Sequence, residues 1–383
     1  MTEWLSGTLD VLCEVEYGTR VTRKRDGGTK YPVYGGGGAT FNLDDFNRED
    51  QMIVSRFAMS EECVRFVPGK FFLNDSGLTV RTRDESKMSQ EFLDQQLLAR
   101  SNEIYATARG TAQKNMDMTM FRNMELAIPD SLEEQKRIVA LLDAATARVT
   151  ELTACYEQAR THANNLFTSG LRAALESNPD WPVKTLGDLL EVSIGGIWGN
   201  EAGEDQVDVF VYRSTELIKD GQLKEELTVR RSVTARQLDS RKLEEGDLLL
   251  EKSGGGPKTP VGRVGLVKVL PGLSVCSNFM QLMRPRKKDV LPVYLHYFLN
   301  HFHVAGHTED LQNNSTNIRN LKTTEYMEVE IPVPPLGEQK RIVARLDSMR
   351  AKTSEMVAAY DAKLTAAKNL RQSILESAFE GKL

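Results

Sequence analysis

Beyond Pro129 the apolar residues fall into a helical rhythm. Ile138, Leu142, Ala145, Val149, Leu152, Tyr156, Ala159, Ala163 and Leu166 alternate at spacings of four and three, which is the seam of a heptad helix. Asp130 or Ser131 can cap its start, Glu133 and Glu134 suit its first turn, and Asn178-Pro179 ends it. The rhythm returns later, over Ile342, Leu346, Met349, Thr353, Met356, Tyr360, Lys363, Ala367, Leu370 and Ile374, after Ile331-Pro332-Val333-Pro334-Pro335. Each pattern predicts a rod of roughly 65 Å.

Before each rod the pattern is mixed. Apolar segments with helical spacing (Phe92 to Tyr105; Val293 to Phe302) lead into polar turns, Arg109 to Asn115 and Asn313 to Arg319. Short alternating strands follow, Met124/Leu126/Ile128-Pro129 and Met327/Val329/Ile331-Pro332. Glycine-rich loops stand in both regions. Lys30-Tyr31-Pro32-Val33-Tyr34 runs into Gly35 to Gly38, and Glu251-Lys252-Ser253 into Gly254-Gly255-Gly256-Pro257-Lys258-Thr259.

The two halves are copies. Glu134 to Ala140 recurs letter for letter as Glu338 to Ala344, and residues 133–176 match 337–380 at 21 of 44 positions. A fainter echo, at an offset of 177, pairs Trp4, Thr8, Leu9, Leu12, Glu14, Val15 and Gly18 with Trp181, Thr185, Leu186, Leu189, Glu191, Val192 and Gly195. The predicted fold is therefore α+β. Two mixed α/β domains (1–129 and 180–335) are separated by two long helices (130–179 and 336–383). The helices pair as an antiparallel coiled coil with internal pseudo-two-fold symmetry. Packing of the helices on unrelated surfaces, or dimerisation through them, is the plainer alternative. The block retained at both helix starts, Gln135-Lys136-Arg137 and Gln339-Lys340-Arg341, points to one job done twice: docking to the neighbouring domain or to a partner subunit.

Composition narrows the classes. The chain has 383 residues and 40% hydrophobic content, ample for real cores. No apolar stretch is long enough to span a membrane, and the opening Met1-Thr2-Glu3-Trp4 does not read as a secretion signal. Four scattered cysteines and no Cys-x-x-Cys suggest reduced packing residues in a cytoplasmic protein. His296, His301, His303 and His307 lack companion carboxylates or thiolates, so no metal site is expected. Net charge is −5; 1–129 carries −3, 130–179 carries −2, 180–335 carries −3 and 336–383 carries +3. Any grip on nucleic acid must come from local patches, with a partner supplying further positive charge.

Those patches are the turns and loops. Asn and Gln suit adenine, Arg and Lys suit guanine or phosphate, and Ser, Thr and glycine amides suit phosphate oxygens. The candidate DNA contacts in the first domain are Thr19, Arg20, Lys30, Tyr31, Tyr34, Gly35, Arg109, Thr111, Gln113, Lys114 and Asn115. In the second they are Lys252, Ser253, Gly254, Lys258, Thr259, Asn314, Ser315, Thr316, Asn317 and Arg319. Catalytic signatures are missing: neither glycine run continues as a P-loop, and Asn178-Pro179-Asp180-Trp181 lacks the second proline of an amino-methyltransferase motif.

The duplicated Ile-Pro…Glu-Gln-Lys-Arg-Ile-Val-Ala…Leu-Asp block, the long helix after each copy, the dissimilar domains before them and the ending Ser373-Ile374-Leu375-Glu376-Ser377-Ala378-Phe379-Glu380-Gly381-Lys382-Leu383 resemble the specificity subunit of type I restriction–modification systems along the whole chain. The resemblance implies two target-recognition domains, each reading half of a split DNA site, held apart by helices that measure the spacer. It implies docking of two modification subunits, which bind S-adenosylmethionine and methylate adenine, and of restriction subunits that use ATP and Mg²⁺. The chain itself would hold no cofactor and perform no chemistry. Contact residues vary within the family, so only the turns (Thr111, Gln113, Lys114, Asn115; Ser315, Thr316, Asn317, Arg319) and the Gly18 and Gly195 segments carry over. The first link, Ile128 to Glu134, departs from its counterpart by being one residue shorter and lacking the double proline. A coiled-coil protein-binding scaffold, and an enzyme with an unrecognised carboxylate site, are the competing classes.

Overall fold

The structure is a computed structural model that describes residues 4–379 apart from 112, 176–177, 219–220, 256–259 and 316–317. The chain forms two compact units, Met1–Gln158 with Tyr360–Leu383, and Ala159–Ala359. Each unit joins one mixed domain to part of each long helix.

In the first unit, Trp4–Thr8 pairs antiparallel with the closing strand Glu125–Pro129. A six-stranded sheet follows, in the order Cys13–Tyr17, Gly77–Thr82, Arg48–Ser55, Val64–Leu73, Tyr31–Tyr34, Asn42–Leu43. Phe92, Leu93 and Leu97 of the helix Gln90–Ala99 cover it, their burial set by apolar residues recurring on one helix face.

The second unit repeats this order. Val183–Thr185 pairs with the closing strand Glu330–Pro332. The central sheet runs Leu190–Gly195, Met280–Pro285, Leu248–Glu251, Val264–Leu266. It is covered by the helix Pro292–Val304, with Tyr294, Leu295 and Leu299 buried. The three-stranded sheet Arg230–Val233, Val207–Tyr212, Ser274–Cys276 answers to Asn42–Leu43, Tyr31–Tyr34 and the end of Val64–Leu73: the middle strand has one antiparallel and one parallel neighbour in both units, and Ser277 N bonds Tyr212 O as Asn74 N bonds Tyr34 O, each at 2.8 Å. The predicted turns are small hairpins, Ala108–Arg109 with Asn115–Met116 and Gln312–Ser315 with Ile318–Leu321. Each hairpin is followed by a one-turn helix, Met118–Arg122 or Thr323–Met327, that the alternation did not reveal.

Hydrogen bonds place the two sheets in register. Val54 faces Val64 and Leu78, as Leu250 faces Val264 and Gln281. Tyr17 faces Leu78, as Gly195 faces Gln281. The structural equivalent of Gly18 is therefore Gly196, not the Gly195 that the offset of 177 assigns. The amide of Gly18 bonds Gly77 O and that of Gly196 bonds Met280 O, both at 3.0 Å. The cause is a register shift between Leu190 and Val192, which moves everything after it by one residue. Both glycines are obligatory. A Cβ on Gly18 would lie 1.9 Å from Asn74 O, and one on Gly196 would lie 2.2 Å from Ser277 O.

The long helices span Leu132–Leu175 and Leu336–Phe379. In the first unit Ile138 and Leu142 share a core with Leu375 and Ala378. In the second, Leu171, Ala174 and Leu175 share one with Ile342 and Leu346. Start thus packs against end, and the pair is antiparallel. The heptad seam needs one correction. Leu152, Leu166, Met356 and Leu370 are exposed by 41%, 54%, 40% and 49%, whereas Thr353 and Leu375 are buried. Thr153, Phe167, Val357 and Leu364 are half-buried in the seam. The burial follows eleven-residue steps, as from Ile342 to Thr353, Leu364 and Leu375. Eleven residues make three turns of about 3.7 residues, close to an unstrained helix, so the stripe does not drift as a heptad would.

Candidate nucleic-acid interface

In the first domain the predicted elements meet around two chain segments, Ser55 to Met59 and Asn74 to Gly77. The Thr19 amide bonds Leu73 O at 2.9 Å, and the Asn74 amide bonds Tyr34 O at 2.8 Å. Gly35 and Gly36 are packed tightly: a Cβ would meet Asn74 Oδ1 at 2.5 Å and Phe57 O at 2.2 Å respectively, while Gly37 and Gly38 stand in open space. The Ala58 amide bonds Asn115 Oδ1 at 3.4 Å, and the Met59 amide bonds Lys114 O at 2.9 Å. So Gly35, the Gly18–Thr19 segment, Lys114 and Asn115 converge. Thr111 and Gln113 lie exposed on the same hairpin.

Other candidates sit elsewhere. Tyr31 packs on Phe46, ring centroids 5.1 Å apart, and Tyr34 on Phe71 at 5.6 Å. Lys30 and Arg20 are exposed near the edge strands. Arg109 is drawn to Asp117 at 2.9 Å.

Sequence reasoning missed the residue at the centre, Arg56. Its amide bonds Ser76 O and its carbonyl accepts from Met116 N, both at 2.8 Å. Its guanidinium lies 4.6 Å from the Tyr17 ring centroid and 4.7 Å from that of Phe57, and Nη1 donates to Asp75 O at 3.3 Å. Behind it the half-buried Arg65 donates Nη2 to Gly36 O at 2.8 Å, and Ser55 Oγ donates to the same carbonyl at 2.9 Å. Burial lowers the Arg65 pKa from the usual arginine range.

The second domain builds the same junction. The Lys252 amide bonds Phe279 O at 3.0 Å and its carbonyl accepts from Leu321 N at 2.8 Å. These are the bonds of Arg56 residue for residue, so Lys252 is its equivalent. Asn320, also missed, corresponds to Asn115; its Oδ1 is 2.5 Å from Ser253 Oγ. Gly254 takes φ +109°, an angle that favours glycine. Arg319 pairs in register with Gly255 and with Asn314, and Ser315 with Ile318. Lys258, Thr259, Thr316 and Asn317 lie outside the described residues. A signal for Arg56 did exist: an apolar triplet, one polar residue and then a cation, Met52-Ile53-Val54-Ser55-Arg56, against Leu248-Leu249-Leu250-Glu251-Lys252.

The retained helix-start block serves the adjacent domain through its glutamine. Gln135 is fully buried. It donates to Lys87 O (2.7 Å) and Pro129 O (3.1 Å) and accepts from Ser89 N (2.9 Å). Gln339, equally buried, donates to Asp289 O (3.1 Å) and Pro334 O (2.8 Å) and accepts from Leu291 N (2.8 Å). Lys136, Arg137, Lys340 and Arg341 are exposed, with Arg137 bridged to Glu134 at 2.8 Å and Arg341 to Glu338.

The remaining titratable groups serve packing. Burial pushes the Cys13 and Cys276 thiols up to about 12, which leaves them protonated and inert. His296 Nε2 lies 2.8 Å from Gly221 O, and His303 Nδ1 is 2.8 Å from Thr308 Oγ1. Among the described residues no group of three or more His, Cys, Asp or Glu could hold a metal ion, and no helix is long and apolar enough to cross a membrane.

Two unlike domains thus each gather a cation, an asparagine and a tightly packed glycine on one junction. Residues 1–159 and 178–366 match the type I restriction modification DNA specificity domain, and the chain belongs to that family. The comparisons favour this class over a protein-binding scaffold. It is 27% identical over 164 residues to a putative type I restriction enzyme MjaX specificity subunit of Methanocaldococcus jannaschii, covering 43% of this chain and 38% of that protein. To the EcoBI specificity subunit of Escherichia coli it is 22% identical over 330 residues, 78% of this chain and 67% of that one. The match thus spans less than half of the first relative and about two thirds of the second. A chain solved in a study of assembly and conformational transition of the type I R-M system shares the fold over 100% of both chains, with a TM-score of 0.74 at 20% identity. The HsdS subunit of Thermoanaerobacter tengcongensis aligns over 99% of this chain and 97% of that one, with a TM-score of 0.52 at 20% identity.

Proposed function

We propose that this chain is the specificity subunit of a type I restriction–modification complex. Each domain reads one half of a split DNA site, the first through the junction at Arg56 and Asn115, the second through that at Lys252, Ser253 and Asn320. The paired helices set the spacer. The exposed Lys136, Arg137, Lys340 and Arg341 dock two modification subunits, with restriction subunits joining them. S-adenosylmethionine, ATP and Mg²⁺ belong to those partners; the chain supplies the address and works in the cytoplasm. The carrying observation is that the two junctions keep the same backbone bonds while their side chains differ. That is what two readers of different half-sites, made from one ancestral design, require. The net charge of −5 fits a chain whose partners provide most phosphate contacts.

Inserting eleven residues into both long helices, at equivalent points, preserves the burial pattern. In cells with the partner methyltransferase, the methylated motif should keep both half-sites and gain a longer spacer. An insertion of seven residues in one helix alone should abolish methylation by breaking the pairing. Retention of the original motif after either change would count against the ruler.

A further inference from the structure

We propose that Arg56 reads a guanine in the half-site of the first domain; this rests on the DNA-reading role above. Its position is the first argument. It matches Lys252 bond for bond, so a cation occupies the same point of the junction in both domains. Yet the side chains packed around that cation differ. Gly195 stands where Tyr17 stands, and Lys252 Nζ uses that space, 3.0 Å from where a Gly195 Cβ would be. In the first domain the space is filled by the Tyr17 ring, which lies 4.6 Å from the Arg56 guanidinium.

The second argument is orientation. The rings of Tyr17 and Phe57 and the carbonyl of Asp75 hold the guanidinium plane. Among the described residues, Nε and Nη2 of Arg56 have no hydrogen-bond partner. They form a side-on pair of parallel donors, spaced to meet O6 and N7 of guanine together. A plane fixed in this way suits any two-point acceptor, a phosphate included. On a base edge that orientation becomes sequence discrimination, which is what the test below separates from a phosphate contact. Tyr17 and Phe57 are positioning residues.

The test uses the full chain in complex with its modification subunits and a library of randomised duplexes, sequenced before and after binding selection. Wild type should select a split motif with a guanine in one half. Arg56→Lys and Arg56→Ala should both lose that guanine preference, by roughly 5- to 150-fold at one base position. The half-site of the second domain should not change, which also certifies folding. Tyr17→Leu should relax the same position and no other. Uniform weakening on all sequences by Arg56→Ala, restored by Arg56→Lys, would assign Arg56 to a phosphate and overturn the proposal, as would unchanged selection by both variants. A wild-type complex with no preference in either half would sink the DNA-reading role itself, and this proposal with it.

Discussion

Behind each junction lies a half-buried arginine, and the two domains brace it differently. Arg263 donates two 2.8 Å bonds to the buried Glu251, plus one each to Leu217 O (3.0 Å) and Ser214 O (3.1 Å). The Glu251 hydrogen bonds raise its pKa. The first domain has Ser55 where the second has Glu251, and Cys63 where it has Arg263. Its own arginine, Arg65, stands two residues further on, binds Gly36 O and Ser55 Oγ, and leaves a buried Nε without a partner among the described residues. One domain braces the junction with an ion pair, the other with a serine, a glycine carbonyl and an arginine. Backbone geometry is therefore the constant, and the side chains that secure it are exchangeable.

That contrast sets the largest expected effect. Arg263→Met strands Glu251, so the second unit should lose about 3–5 kcal/mol of stability. Arg65→Met strands no charge and should cost the first unit only about 1–2 kcal/mol. Urea unfolding read by hydrogen exchange in each unit checks both. Equal losses would mean that the bracing is not asymmetric.

Acid should separate the units next. Burial holds His296 down to about 4. An unfolded histidine titrates near 6.5. Below that pH the unfolded chain takes up a proton that the folded chain refuses, so the second unit loses stability as pH falls from about 6.5 to about 4, by on the order of 3 kcal/mol. Asp94, in the first unit, is pushed up to about 6 by burial. Its folded form takes up the proton first, so its contribution grows as pH falls through about 6 and is lost as pH rises above it. Unit-resolved exchange between pH 7 and pH 4 should show opposite contributions, removed by His296→Phe and Asp94→Asn respectively. Slopes that survive these substitutions would refute the assignment.

The smallest effect tests likeness instead of contrast. Gln135→Leu and Gln339→Leu each leave one buried amide and two carbonyls unmatched, and should each cost about 1–3 kcal/mol. The two losses should agree within about 0.5 kcal/mol, because the networks are identical. A neutral result for either would mean that the retained glutamine is not what ties the helix start to its domain.

What the sequence made legible was local. Helix starts, closing strands and the duplication all lie in contiguous pattern: Ser131 accepts at the first turn of the long helix, and Pro335 precedes the second. The seam was right in its first turns and wrong at Leu152, because a heptad and an eleven-residue step agree until their difference accumulates. The register shift after Leu190 leaves no trace in a gapless alignment. The junction was half legible. Lys114, Asn115 and Lys252 lie in polar turns that announce themselves. Arg56 follows a buried strand, and its partners Tyr17, Asp75 and Met116 are far away in the chain. Only the sheet brings them together, and no periodicity encodes that meeting.

The most direct test is base-resolved adenine methylation across the genome of a host with an active partner methyltransferase, with this gene intact and then deleted. The account predicts that one split motif, and only that motif, loses methylation on deletion. An unchanged methylome in such a host would contradict it.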